Sequence, residues 1–198
     1  MNFTKNLIAF GIAILFMSCV RSLHPLFDKK DLVFEPALVG TWAEMDSKNT
    51  WTFEKSGDKT YSLVYFEYEQ GSVGKEVKGD SAGFAAQLGR LGDFTFLDLF
   101  PEEREENGNT RNTLYNLHIL PAHTIWRVWL EADELRLALL DNGWLKKMIG
   151  EEKVEIAHEE IDGAIILTAS TQQLQKFVLE HAEDADAFPN PVKLHPSQ

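Results

Sequence analysis

The sequence predicts a mainly β fold: a single antiparallel, barrel-like domain with one or two short helices, one of them C-terminal. Three observations carry this. From residue 38 onward, short runs rich in aromatic and β-branched residues alternate with turn signals. These runs follow one another almost as consecutive hairpins, which favours an up-and-down barrel over a sandwich. Only two stretches carry helical periodicity, and the length of 198 residues suits one domain.

The chain opens on a different kind of segment. Lys5 gives a short positive region, residues 7–17 are apolar apart from Gly11, and Ser18-Cys19 closes the run with small side chains. That order is the order of a secretory signal. The apolar stretch is too short for a span, which needs roughly 20 residues. Phe16-Met17-Ser18-Cys19 resembles the cleavage motif of bacterial lipoproteins. The resemblance implies removal of residues 1–18 and acylation of Cys19, the only cysteine of the chain. Several acyl chains then anchor the protein, at about 0.8 kcal/mol per buried methylene. Val20 follows the cysteine in place of an aspartate, which by the same resemblance favours the outer membrane, on its periplasmic side, in a Gram-negative envelope.

Residues 19–35 read as a tether leading into the domain. Pro25, Pro36 and the charged run at 28–31 oppose a regular element, while Leu26, Phe27, Leu32, Val33 and Phe34 are apolar enough to dock. Residues 36–188 form the β-rich domain. Trp51 and Phe53 share one strand face, and residues 56–59 make a hairpin turn into a strand over 61–69. Residues 69–72 turn again, and the polar stretch 73–83 gives a weak strand signal. Two strands are expected around Gly92-Asp93, and a solvated loop over 101–113. Three more strands follow, over 114–120, 123–131 and 134–141.

Asp141 can cap a helix whose apolar face is Trp144, Leu145, Met148 and Ile149. Two further strands lead to Ser170, which has capping-box spacing to Gln173 ahead of an amphipathic stripe at Leu174, Phe177, Val178 and His181. The proline-rich segment 189–198 is expected to be a disordered tail.

The formal charge of −12 repels nucleic acid and anionic lipid, and loss of Lys5 with the leader makes it one unit more negative. Acylation of Cys19 would leave no thiol for disulfides or catalysis. Gly40 and Trp42, in the stretch LVGTWAEMD, resemble the first-strand Gly-x-Trp signature of lipocalins and related calycin-like barrels. The resemblance implies a tryptophan plugging the closed barrel end against a late-strand arginine, either Arg127 or Arg136. Runs such as LVFEPALVGTWAE and ILTASTQQLQKFV resemble small bacterial lipoproteins without an assigned activity.

Asp98 is an acid in an apolar strand, sharing a face with Phe94 and Phe96. Facing inward it would be a polar group on a pocket wall, and facing outward a solvated one. His118 and His123 are two histidines where zinc needs three or four ligands, so hydrogen-bonded structural roles are the simpler reading. His123 could also act as a general base beside Asp98 or Asp141. Phosphate-binding, dinucleotide, zinc-protease and calcium motifs are missing. No catalytic residue, cofactor or metal is therefore assigned.

The first expectation is a non-enzymatic, membrane-anchored binding module for a small apolar ligand or an envelope partner. An envelope structural or assembly protein is the alternative. A hydrolase using His118, His123, Asp98 or Asp141 is a third.

Overall fold

The computed structural model describes residues 19–68, 79–102 and 118–197. Strands β1 (Arg21–Ser22), β2 (Gly40–Glu44), β3 (Thr50–Lys55), β4 (Tyr61–Tyr68), β5 (Gly79–Leu91), β6 (Phe94–Pro101), β7 (His123–Leu130) and β8 (Leu135–Leu139) come first. Helix α1 (Asn142–Gly150), strands β9 (His158–Ile161) and β10 (Ala164–Leu167), helix α2 (Thr171–Glu180) and strand β11 (Val192–Pro196) complete the order.

Strands β2 to β8 pair with their sequence neighbours in antiparallel register, and β6–β7 is one of these pairings. β11 then fills the gap between β8 and β2. The result is a closed, eight-stranded antiparallel barrel, the expected architecture. Closure satisfies every interior ladder and removes its edges. An eight-stranded barrel is just wide enough for side chains to fill. Here Trp42, Phe53, Tyr61, Leu63, Leu97 and Leu137 are among those that meet inside.

The segment between β8 and β11 leaves the wall and packs on its outside. It carries both helices and the β9–β10 hairpin, with β10 running parallel to β1. Each helix is capped as its sequence requires. Asp141 accepts a 2.6 Å hydrogen bond from the Trp144 amide, and Ser170 with Gln173 closes a capping box. A second core lies here, between the outer faces of β6, β7 and β8 and the covering segments. Phe96, Ile125 and Ala138 supply the wall side, and Leu145, Ile165, Leu174 and Val178 the cover. Strands buried on both faces explain why this part of the sequence is apolar without clean alternation. Among the described residues, no helix is long and apolar enough to cross a membrane.

Residues 19–35, expected as a tether with apolar docking side chains, are docked along their length. They form a strap docked on the barrel, with Val20, Leu26, Phe27 and Leu32 buried in the second core. The strap begins at Cys19, which bridges Asp141, and β1 inserts between β7 and β10. Its Val33 amide donates to the Leu88 carbonyl at 2.9 Å. Phe27 lies so close over Gly89 that a Cβ there would stand 2.3 Å from the ring. The apolar side chains noted in the sequence outweigh the prolines and charges between them.

The expected disordered tail also requires correction. Val192 and Leu194 alternate inward from β11, flanked by Lys193, and Leu194 is fully buried in the barrel core. Prolines 191 and 196 bound the strand rather than abolish it, because a proline at a strand end loses little of the ladder. The strand expected over 114–120 is not found in its described part, where residues 118–122 are turn and coil. The leader, the turn at 69–72, most of the weak strand signal at 73–83, and the bulk of the 101–113 loop lie outside the described residues; residues 79–83 belong to β5.

Candidate functional site

Gly40 opens β2 at φ +138°, with no atom near the place a Cβ would take. Its requirement is therefore for backbone conformation rather than space. Two residues on, Trp42 points into the barrel and its indole N–H donates to the Leu38 carbonyl at 3.0 Å. Leu38 ends a short 3-10 turn, Pro36–Leu38, that covers one barrel end. From inside, the Tyr61 hydroxyl accepts from the Glu35 amide at 2.6 Å and lies 3.1 Å from the Glu35 carbonyl. Burial raises the pKa of that hydroxyl, and the nearby Glu35 carboxylate adds to the rise. The cover is thus tied to the first strand and to β4.

Neither candidate arginine meets Trp42. Arg127 sits on the outer face of β7, 7% exposed, with its guanidinium 4.6 Å from the Phe94 ring centroid and 4.9 Å from that of Trp129. It donates to the Thr95 and Val128 carbonyls, and burial lowers its pKa from the usual arginine range. Arg136 is held by Glu131 at 3.2 Å and by Glu134 at 3.1 Å. The pleat that sends Trp42 inward and Arg127 outward separates them by the barrel wall.

Asp98 fits neither sequence alternative. It faces away from the barrel interior, since its neighbours Leu97 and Leu99 fill that interior, yet it is only 2% exposed. The strap covers it. One carboxylate oxygen accepts from the Leu26 amide at 2.7 Å, and the other lies 2.7 Å from His123 Nδ1. His123 opens β7 and stacks against Phe100 at 4.5 Å between ring centroids. Such a carboxylate fixes the ring and its tautomer, an arrangement used to orient catalytic and metal-binding histidines. Among the described residues, no further titratable side chain joins this pair. Asp141 is committed to its helix cap, and His118 lies exposed in the preceding turn. Among the described residues no three metal-ligating side chains converge.

An open recess of about 340 Å³ lies at the barrel end covered by the 3-10 turn. Val33, Leu38, Leu88, Val128 and Leu130 make its apolar wall. Glu35, Arg90, Thr95 and Glu131 supply polar groups. Its volume falls at the low end of small-molecule sites, roughly 300–1,000 Å³, and its lining is more polar than is usual for them. Against protein-family models, curated proteins and solved structures, the chain finds no match.

Arg90 is absent from the candidates that the sequence suggests, although a signal for it exists. Phe84, Ala86, Leu88 and Arg90 recur at every second position, so an inward apolar series ends on a cation. The register agrees, with Arg90 paired to Thr95 and Thr95 to Val128, a barrel-core residue. At the other barrel end, Trp51 stacks edge-on with Tyr65 and Trp126. Burial, with Glu44 and Glu67 nearby, pushes the Tyr65 hydroxyl up to about 12.

Proposed function

We propose that this chain is a membrane-anchored lipoprotein whose barrel is a non-enzymatic binding module for a small apolar ligand. The observation that carries the binding part is the recess at the covered barrel end, where apolar side chains and polar groups share the lining. Among the described residues, Phe53, Tyr61, Leu97 and Leu137 meet in the barrel core, which favours a ligand at this end over one along the barrel axis.

The anchor rests on the leader pattern and on Cys19. The strap is packed from Val20 onward, so an acyl group on Cys19 would hold the barrel against the bilayer with almost no spacer. By the lipoprotein resemblance the site of action is the cell envelope, at the outer membrane if the host is Gram-negative.

Two measurements test these parts separately. Intact mass of membrane-extracted protein should give a chain beginning at Cys19 with a diacylglycerol-sized addition, and an unmodified soluble chain would reject the anchor. Titration of the protein lacking residues 1–18 with the small uncharged probe 2-naphthol should saturate. It should also alter tryptophan emission, because Trp42 bonds to the recess residue Leu38. Ala132→Trp, placed on the recess lining, should abolish that uptake while leaving the fold intact. Linear, unsaturable uptake, unaffected by Ala132→Trp, would reject the binding module.

A further inference from the structure

The proposed binding role of the recess leaves open what kind of ligand it accepts. On the basis of that role, we infer that the recess takes an amphiphile with a short apolar body and an anionic head, with Arg90 as the group that reads the head. At about 30 Å³ per water-sized group, the recess of about 340 Å³ holds on the order of ten non-hydrogen atoms.

The charges around it are not equivalent. Glu131 is engaged with Arg136 at 3.2 Å. Glu35 turns a carboxylate oxygen toward the Ala37 amide, at 3.4 Å, at the start of the 3-10 turn. Arg90 has no ion pair among the described residues; it follows Leu88 on β5 and is exposed where that series reaches the barrel rim. Its register neighbour Thr95 adds a hydroxyl to the same lining. Arg90 is itself exposed, so it stands at the rim of the recess, where its guanidinium offers a planar set of donors suited to a carboxylate or phosphate. The acidic balance of the whole chain opposes an anion at long range, so Arg90 must act at contact.

The test uses the protein lacking residues 1–18, whose described residues supply all eight barrel strands. Decanoate, decanol and decylammonium are titrated against wild type, Arg90→Gln and Arg90→Lys. Decanoate should bind wild type more tightly than decanol by about ten- to a hundredfold, the range for a hydrogen bond to a charged group. Arg90→Gln should erase that difference by lowering decanoate affinity to that of decanol, and Arg90→Lys should restore part of it. Equal affinity for decanoate and decanol, or tighter binding of decylammonium, would overturn the head-group assignment while leaving the recess as a binding site. Failure of all three to bind would remove the site itself, and the inference with it.

Discussion

Asp98→Ala should lower the unfolding free energy by roughly 3 kcal/mol, because the buried Leu26 amide and the half-buried His123 ring lose their shared partner at once, and a buried group left unpaired costs about 1–3 kcal/mol. The Leu26 amide belongs to the strap and His123 to β7, so Asp98 joins the N-terminal segment to the barrel wall. Strap residues Phe27 and Leu32 depend on that junction for their burial against β5. Asp98→Asn should cost less, since its side-chain carbonyl can still accept from Leu26. Urea unfolding gives the free energies, and amide exchange at Leu26 gives the local consequence. A loss below about 0.5 kcal/mol for the alanine variant, typical of exposed sites, would show that the strap is held without this carboxylate.

Deleting residues 191–198 should abolish cooperative unfolding and drive the protein into aggregates. β11 supplies the only connection between β8 and β2 in the described barrel, pairing Val192 with Leu137 and Leu194 with both Leu135 and Glu44. Its loss exposes two strand edges, which template association with other chains. It also empties the space of Leu194, and Leu194→Ala alone should cost about 2–5 kcal/mol. Removing only Gln198 should change nothing measurable. Calorimetry and light scattering distinguish these outcomes. A truncated protein that stays monomeric and melts as wild type would contradict the closed barrel.

Much of the barrel was legible because the wall obeys simple alternation. Trp51 and Phe53 face inward with Leu63 across from Phe53, and the register follows from the turn between them. The caps at Asp141 and Ser170 were legible because capping is a local hydrogen-bond requirement. The strap and β11 were harder to see for a shared reason. Their stability comes from distant residues: Leu26 needs Asp98, and Leu194 needs β2 and β8. Short segments with prolines carry little intrinsic preference, so tertiary contacts decide them.

The candidate site was less legible than the fold. The sequence selected Asp98 and His123 as polar residues among apolar ones, and the folded chain brings them together. No local pattern could announce that pairing, because it depends on the register of β6 against β7 and on a strap from elsewhere in the chain. Arg127 and Arg136 were both open as partners for Trp42, and the wall divides Trp42 from Arg127. The recess is assembled from the strap, β5, β6 and β7, so its lining is scattered along the sequence. Only Arg90 left a mark, as a charge at the end of an inward series.

Amide chemical-shift mapping with decanol added to isotopically labelled protein tests the central claim most directly. A small, uncharged amphiphile should perturb Val33, Leu38, Leu88, Val128 and Leu130 together, with saturation at one equivalent per chain. Perturbations that fail to saturate, or that gather away from the covered barrel end, would contradict the assignment of this recess as the binding site.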